Sequence, residues 1–236
     1  MLDEAHDELL DGSAADGGAH AAGTSPTGSE TAPVELVRLP DPGREGGQAL
    51  ASAVSRRRST RHWPAGRLRL EELSQLLWAA QGVTKADGLR AAPSAGAIYP
   101  LLVDVVVGEV GSLAAGVYRY HPGEHALEPR AALDERGALA RAAFGQTWVA
   151  TGAALIAVSA NLRRTERRYG GRGERYVHFE VGAVAENLYL QAAALGLGTV
   201  LVAAFDDDAV GRILNLAHEE RPQALMPIGR LIPPRP

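Results

Sequence analysis

The chain of 236 residues contains no cysteine, only two methionines and few aromatic side chains. Without cysteine it can form no disulfide, no thiolate metal site and no cysteine nucleophile. No apolar run approaches the roughly 20 residues that a membrane-spanning helix needs, and the opening MLDEAHDELL lacks the basic start and apolar core of a secretory signal. We therefore expect no membrane partner, and a cytoplasmic location is the default.

Several sequence motifs are also missing. No Gly-x-Gly-x-x-Gly follows a predicted strand, and no Gly-x-x-x-x-Gly-Lys-Ser/Thr occurs, so Rossmann and P-loop nucleotide sites have no support. No Gly-x-Ser-x-Gly elbow occurs, which leaves triad hydrolysis unsupported. The histidines are scattered without ligand spacing, so no metal site is predicted, and His178 is interpreted as a packing or helix-surface residue.

The net charge of -4 is unevenly distributed. Eight acidic residues precede Arg38, the first basic residue, and the remainder holds 24 basic and 20 acidic residues. A mildly basic body suits an anionic small molecule such as a phosphate. It falls short of the basic stripe expected of a nucleic-acid-binding protein, so no nucleic-acid partner is predicted.

Composition divides the chain into three parts. Residues 1–33 are rich in Ala, Gly, Ser, Asp and Thr, and we predict a disordered acidic leader, because such a segment buries too little apolar surface to offset its ordering entropy. Residues 34–53 are predicted to be a linker or an arm on the domain surface. Residues 54–236 form the predicted folded domain.

The periodicity of this domain mixes helices and strands without strict alternation. The segment LRLEELSQLLWAAQG predicts a helix with Leu70, Leu73, Leu77 and Ala80 on one face, and residues 176–195 predict a long helix. Strands are predicted at LLVDVVVGEV, ALIAVSA, TVLVAAF and ALMPIGRL, with a hairpin at residues 116–129 and a helix at DDDAVGRILNL. The pattern indicates an α+β fold with a central, mostly antiparallel sheet flanked by helices.

Two short segments could bind an anionic or flat ligand. Arg56–Arg61 places several guanidinium groups around hydroxyls, which suits a phosphate dianion, although a solvated basic run is the simpler interpretation of the segment alone. The loop RAAPSAGAIYP, residues 90–100, has small side chains that let its backbone approach a ligand closely. A tight chain reversal explains it equally well.

Two further segments contain candidate polar groups. Residues 163–176 form a basic, glycine-rich stretch, interpreted as a loop that is either a mobile lid or an ordinary charged surface loop, the latter being favoured by the residues alone. Asp206 and Asp207 follow a predicted strand. Their position at a helix start favours capping over acid–base chemistry.

Taken in order, the motifs resemble a known family. Arg-Arg-Ser-x-Arg, Pro-Ser-Ala-Gly-Ala-Ile-Tyr-Pro, Arg-Tyr-Gly-x-Arg-Gly-x-Arg-Tyr with a following Glu180-x-Gly182, Ala-Phe-Asp-Asp and Met-Pro-Ile-Gly-Arg resemble the SagB-type dehydrogenase branch of the nitroreductase family. The resemblance covers residues 54–232 and implies a nitroreductase-like flavoprotein fold, non-covalent FMN, and a homodimer with the flavin at the subunit interface.

The resemblance also implies site residues. Arg57, Arg58, Ser59 and Arg61 would hold the FMN phosphate and ribityl chain, and Ser94, Ala95 and Gly96 would line the ring. The backbone of Val202, Ala203 and Ala204 would approach the flavin from the other face, and Gly229 and Arg230 would return to the phosphate.

The expected reaction is a two-electron transfer between FMN and a small molecule or a modified peptide. Azoline oxidases of this branch resemble one another in having a Lys-Tyr pair, and the corresponding residues of this chain are Arg168 and Tyr169. Arginine is a poor general base, so this replacement argues against azoline oxidation. Tyr169 is the candidate for proton transfer or substrate contact. Ala183, where His is common, and Glu186, where Gln is common, also depart from the branch. The alternatives are an NAD(P)H-dependent nitro or quinone reductase and a non-catalytic scaffold subunit of a peptide-modifying complex.

Overall fold

The computed structural model describes residues 34–64 and 66–231. The predicted acidic leader, residues 1–33, lies outside the described residues. Val34 begins a compact unit that includes the whole predicted domain. None of the helices in the described part of the chain is both long and apolar enough to cross a membrane.

A single antiparallel sheet forms the centre of the described structure. Its strands are β1 (Val37–Arg38), β2 (Leu101–Val107), β3 (Gly116–His121), β4 (Ala126–Ala131), β5 (Ala154–Asn161), β6 (Leu197–Thr199) and β7 (Glu220–Arg230). They follow the order β1–β4–β3–β2–β5–β7–β6, and every neighbouring pair is antiparallel. The predicted α+β fold with a mostly antiparallel sheet is confirmed.

The helices lie on both faces of this sheet. They are α1 (Leu50–Arg56), α2 (Leu70–Gln81), α3 (Arg136–Ala142), α4 (Leu162–Tyr169), α5 (Gly173–Ala194) and α6 (Asp207–Ile213). Helix α2 has the predicted apolar face, with Leu73 and Leu77 fully buried, and Gly82 caps its C-terminal end. Asp206 caps α6 by accepting a hydrogen bond from the Ala209 amide at 2.8 Å, which confirms the capping interpretation.

Two apolar layers explain why β2 and β5 are apolar at nearly every position. Since side chains alternate between faces of a strand, Val105 and Ile156 pack with α2 and α5 on one side. Val106 and Leu155 pack with the residues of α3 and α6 on the other. A strand buried on both faces needs a continuous apolar run, which is the pattern the sequence displayed.

A charged pair lies within the otherwise apolar interior of the sheet. Asp104 on β2 is fully buried, and Arg119 on β3 binds it through two hydrogen bonds of 2.6 and 3.0 Å. Arg119 also donates to Glu220 on β7 at 3.1 Å. Burial raises the pKa of Asp104 in spite of the adjacent guanidinium. Asp104 is therefore costly to bury, and Arg119 is needed to offset that cost.

The predicted strand TVLVAAF is largely wrong. Strand β6 ends at Thr199, and beyond it Val202 makes only an isolated bridge to Leu225. The Leu201 amide donates to the hydroxyl of Tyr189 at 2.8 Å, which is a side-chain partner rather than a neighbouring strand. This tertiary contact therefore ends the strand earlier than the apolar run predicted.

The predicted basic loop at residues 163–176 is also wrong. Its first half is α4, and α5 begins at Gly173, three residues before the predicted start. Only a short turn at Gly170–Arg172 separates the helices, beginning with Gly170 at a φ of +54°. Arginine and glutamate have good helix propensity, so the charge that suggested a loop is compatible with a helix.

The segment predicted as an arm joins the sheet. Val37 and Arg38 form β1 and pair with Leu127 and Ala126 of β4. Leu39 follows and is buried in the core. The arm therefore covers what would otherwise be the free edge of β4.

Candidate functional site

The arginine segment, Arg57–Arg61, leaves the end of α1 and runs beside β6. The Thr60 amide donates to the Thr199 carbonyl at 2.9 Å, and Ser59 forms a parallel bridge with Thr199. This backbone pairing fixes the segment against the sheet edge. The side chains around it are consequently presented at the same edge.

Tyr189 of α5 connects the arginine segment with the chain that follows β6. Its hydroxyl lies 3.0 Å from the Ser59 hydroxyl and accepts from the Leu201 amide at 2.8 Å. The Arg57 guanidinium lies 5.3 Å from the centre of its ring and 4.0 Å from a carboxylate oxygen of Glu186. Tyr189 therefore organises two of the predicted binding segments at once.

The other two arginines of the segment extend outward. Arg58 donates to its own chain, at the carbonyls of Ser55 and Arg57, at 2.9 and 2.7 Å. The Arg61 guanidinium lies 5.8 Å from the centre of the Trp148 ring. Both side chains are exposed, so their remaining N–H donors face solvent.

Two buried polar atoms beside this segment lack partners. Thr199 Oγ1 and Trp148 Nε1 are inaccessible to solvent and make no hydrogen bond within the described residues. Buried polar groups are nearly always satisfied. A ligand or water near the arginine segment would supply the missing partners.

The predicted backbone contacts at Val202–Ala204 lie next to Tyr189 in the chain fold. Val202 is buried against Leu225, whereas Ala203 and Ala204 are exposed. The Ala204 carbonyl accepts from Gln146 at 2.9 Å. Short side chains leave the backbone of these alanines open to a ligand.

Gly229 and Arg230 close the same edge at the end of β7. A Cβ on Gly229 would clash with the side chain of Trp63, whose indole N–H donates to the Gly198 carbonyl at 2.9 Å. Arg230 donates to the buried carboxylate of Glu72 at 2.6 Å, and with Arg58 it lines a cavity of about 750 Å³. Part of the Arg230 guanidinium is thus committed to a structural ion pair.

The pKa of Glu72 shows how firmly that pair is held. Burial would raise it, but hydrogen bonds from the Arg69 amide and from the Arg230 side chain lower it overall. The carboxylate stays ionised and anchors Arg230 at the rim of the cavity.

The small-residue loop, Ser94–Gly96, lies against α4. Ser94 Oγ accepts from the Tyr99 amide at 2.9 Å, and Gly96 has a φ of +61°. Arg168 donates to the Gly96 carbonyl at 3.3 Å, and a Cβ on Gly96 would lie 2.6 Å from the Tyr169 hydroxyl. The structure therefore brings both predicted catalytic residues, Arg168 and Tyr169, to the loop predicted to line the ring.

A buried carboxylate, that of Glu180, is connected to the residues beside this loop by hydrogen bonds. Glu180 of α5 is buried and accepts from Gln81 at 3.4 Å, while Gln81 accepts from Arg90 at 2.9 Å. Burial raises the pKa of Glu180, and the Ser94 hydroxyl and the Gln81 amide oppose that rise. Glu180 is thus a positioning residue for the loop.

The predicted residues fall into two groups on opposite sides of α5. Tyr189 contacts the arginine segment, and Glu180, nine residues earlier, is joined through Gln81 to Arg90, which precedes the small-residue loop. Nine residues correspond to about 13 Å along a helix and to half a turn about its axis. Within the described residues no hydrogen bond or ion pair joins the two groups.

No metal centre is apparent in residues 34–64 and 66–231. These residues contain no group of three or more His, Asp or Glu side chains that could hold a metal ion. His178 is exposed on α5, in agreement with its interpretation as a helix-surface residue.

Comparison with known proteins identifies the family. The Nitroreductase family model matches residues 54–230. The protein named "Putative nitroreductase MJ1384" of Methanocaldococcus jannaschii is 46% identical over 185 residues, covering 78% of this chain and 91% of its own length.

The chain belongs to the nitroreductase family.

Solved structures agree with this assignment. A protein from Ralstonia eutropha JMP134, also named a "putative nitroreductase", is 33% identical with a TM-score of 0.74, and the match covers 84% of this chain and 90% of that one. A chain of the E. coli microcin synthetase McbBCD complex is 24% identical, with a TM-score of 0.63 over 82% of this chain and 77% of that one. The second likeness shows the fold alone. As a nitroreductase-family protein the chain is an oxidoreductase, and members of the family generally use a flavin.

Three residues important to this nitroreductase-family site were not predicted from the sequence. They are Tyr189, Glu72 and Gln81, which hold the arginine segment, Arg230 and Glu180 respectively. Glu72 and Gln81 lie on α2, where a polar residue at a buried helical position was a signal that could have been noticed. Tyr189 had no such signal, because a half-buried tyrosine on a helix is ordinary.

Proposed function

We propose that this nitroreductase-family protein is an FMN-dependent oxidoreductase of the SagB-type branch, which exchanges two electrons with a small molecule or a modified peptide. The observation that supports it best is the convergence of the arginine segment, the Ala203–Ala204 backbone and Arg230 at one sheet edge, around Tyr189. Bound FMN would supply the redox chemistry, and the chain would bind and orient it.

The sheet edge suits a phosphate group. Arg57, Arg58 and Arg61 provide permanently charged donors, and the Ser59 hydroxyl can donate or accept. Arg58 and Arg230 line a cavity of about 750 Å³, which is within the size range of small-molecule and cofactor sites. Thr60 and Thr199 line the same cavity.

The small-residue loop suits the flavin ring. Gly96 is exposed, and its left-handed backbone brings its carbonyl to Arg168. Arg168 can only donate hydrogen bonds, whereas the Tyr169 hydroxyl can also accept. We therefore assign proton transfer or substrate contact to Tyr169, and orientation of the loop to Arg168.

Two copies of the chain would complete the site. The arginine segment and the small-residue loop lie about 13 Å apart along the axis of α5 and on opposite sides of it. The segment of one copy and the loop of a second copy can therefore reach one flavin more readily than the segment and loop of a single copy. In a two-fold dimer each such contact occurs twice. We accordingly propose a homodimer with flavin at the subunit interface.

The decisive experiment is a visible absorption spectrum of the purified protein, followed by titration of the flavin-free protein with FMN. We expect a yellow protein, or saturable FMN binding that Arg57→Ala weakens and Arg141→Ala, a change at the exposed end of α3, leaves unaltered. Colourless protein that binds no FMN in titration would refute the proposal.

A second candidate function is an NAD(P)H-dependent nitro or quinone reductase. It is favoured by Arg168, because the position next to Tyr169 holds a donor that cannot serve as a base and that is engaged with the Gly96 carbonyl. Anaerobic addition of NADH or NADPH separates the two candidates. Rapid bleaching of bound flavin supports the reductase, and unchanged absorbance supports reduction by the substrate itself.

A further inference from the structure

Strands β2 and β3 separate near one end and leave a gap in the sheet. They pair only from Asp104 to Val107 on β2 and from Gly116 to Arg119 on β3. Beyond that point Leu101–Val103 pairs with β5, and Tyr120–His121 pairs with β4. The gap between the separated strands is a cavity of about 200 Å³, whose polar lining includes Arg90, Tyr99, Arg119, Tyr120, Arg130 and Arg164.

The four arginines of this strand gap are not equally neutralised. Arg119 is bound by Asp104 and Glu220, as described above, and Arg130 lies 3.7 Å from Glu128. Arg90 and Arg164 form no ion pair within the described residues. Their positive charge is therefore available at the gap.

Both arginines that lack an ion pair line the gap. Burial is the main cause that lowers the pKa of Arg90, the charges of Tyr99 and Glu180 oppose it, and the charge of Arg164 has a smaller lowering effect. Glu180 is separated from Arg90 by the Gln81 side chain, which binds both. An anion in the gap would be attracted by the charges of both Arg90 and Arg164.

Arg90 is held in a fixed orientation. Its Nη1 donates to Gln81, and its guanidinium lies 4.5 Å from the centre of the Tyr99 ring. The Arg90 amide donates to the Tyr99 hydroxyl at 3.1 Å. Only one guanidinium nitrogen of Arg90 is used by these hydrogen bonds, so the others remain as donors.

The tyrosine that holds Arg90 is itself strained. Tyr99 has a φ of +50°, a conformation that a bulky residue rarely adopts. Such strain costs about 1–3 kcal/mol and is found preferentially at ligand-binding positions. The strained backbone thus belongs to the residue whose ring packs on the Arg90 guanidinium.

We propose that the strand gap is a binding site for a small oxyanion, either a carboxylate or a tetrahedral anion of phosphate size, held between Arg90 and Arg164. A cavity of about 200 Å³ accommodates such a group with a short stem but is too small for a flavin. The site is separate from the arginine segment and does not depend on FMN binding there. Its ligand is an anionic substrate group or a free inorganic anion.

The test is isothermal titration of the full-length protein with sodium acetate, sodium succinate and sodium phosphate, at constant ionic strength maintained with chloride. We expect saturable binding of at least one of these anions. Preference for the dicarboxylate would indicate a carboxylate-bearing ligand, and preference for phosphate a free tetrahedral anion. Binding must persist after the protein is saturated with FMN, because loss of binding on FMN loading would place the anion in the flavin site and overturn the proposal.

Variants on one helix provide a matched comparison. Arg164→Gln should raise the dissociation constant about tenfold, the lower end of the effect of a hydrogen bond to a charged group. Arg163→Gln is the control, because Arg163 binds Glu219 at 2.9 Å outside the gap. Equal dissociation constants in the two variants, or no saturable binding in the unaltered protein, would overturn the proposal. Since Arg164 is exposed, its variant should fold normally, which circular dichroism checks.

Discussion

The hydroxyl groups of Ser59 and Tyr189 lie 3.0 Å apart and join positions that are 130 residues apart in the chain. Because the same tyrosine oxygen also accepts from the Leu201 amide, one side chain fixes the arginine segment and the segment after β6 relative to each other. This side-chain link adds to the backbone pairing of Thr60 with Thr199. Loss of the Tyr189 hydroxyl should therefore affect both the stability of the protein and its proposed cofactor binding.

Tyr189→Phe should lower the free energy of unfolding by about 1–2 kcal/mol, since it leaves the partly buried Leu201 amide without its partner. The ring remains, so the stacking with Arg57 is retained. Under the proposed function FMN affinity should fall as well. Urea denaturation and FMN titration measure the two effects.

Tyr176→Phe is the control for that variant. Tyr176 lies on the same helix and packs edge-to-face on Tyr169, with ring centres 4.9 Å apart. Its hydroxyl makes no hydrogen bond within the described residues, so both measurements should change little. Equal losses in the two variants would contradict the role given to the Tyr189 hydroxyl.

Gly96→Ala should destabilise the small-residue loop. A φ of +61° is unfavourable for alanine by about 1–2 kcal/mol, and the added methyl would lie 2.6 Å from the Tyr169 hydroxyl and 2.7 Å from Arg168. Both side chains can move at their ends, so the protein should still fold. We expect a loss of about 1–2 kcal/mol in unfolding free energy, measured by urea denaturation.

Gly171→Ala provides the comparison for the loop variant. A Cβ there meets no atom within 4 Å, and its φ is not positive. The change should therefore stay within about 0.5 kcal/mol, as for ordinary surface substitutions. A Gly96→Ala protein as stable as Gly171→Ala would show that the left-handed loop conformation is not required.

Much of the fold was predictable because it follows from local patterns. The continuous apolar runs of β2 and β5, the apolar stripe of α2 and the acidic cap of α6 are all encoded within short windows. One error arose because a distant residue decided the outcome. Strand β6 is short because Tyr189 captures the Leu201 amide, and no window around Leu201 contains that information.

The candidate site was likewise predictable where its residues are neighbours in the sequence. The sequence places Arg57, Arg58 and Ser59 consecutively, so a cluster of donors could be inferred there. Tyr189, which contacts this cluster, and Glu72, which binds Arg230, come from other helices and required the tertiary structure. The same is true of the strand gap, which results from the different partners of β2 and β3.

His125 should make stability depend on pH. It accepts or donates at both ring nitrogens, lying 2.8 Å from the hydroxyls of Tyr120 and Ser74. Burial lowers the pKa of His125 below its ordinary value of 6.5, against a smaller opposing effect of the Pro40 carbonyl and Asp41. The folded state therefore disfavours the charged ring. The stabilisation is present above about pH 6.5 and is lost as the pH falls through the folded-state pKa.

His125→Asn is the test of this pH dependence, because asparagine tolerates the φ of +45° at that position. The unfolding free energies of both proteins should be measured between about pH 8 and pH 5. The advantage of the unaltered protein should shrink as the pH falls, while titrating carboxylates affect both proteins equally. A difference that is constant or grows toward pH 5 would contradict the assignment.

The dimeric site can be tested by mixing two defective chains. One variant, Arg57→Ala with Arg61→Ala, should lose the phosphate contacts, and the other, Gly96→Asn, should fill the space beside Tyr169. Each should retain little FMN as a homodimer. If each flavin is bound by the arginine segment of one chain and the loop of its partner, the heterodimer contains one intact site and one doubly defective site.

Co-expression with two different tags and sequential purification isolates that heterodimer. We expect about one FMN per pair of chains, because the intact site combines the unaltered segment of one chain with the unaltered loop of the other. If both halves of a site came from the same chain, every site in the heterodimer would contain one defect and no flavin would be recovered. The FMN content of the heterodimer therefore distinguishes a shared site from a site built within one chain, independently of which substrate the protein oxidises or reduces.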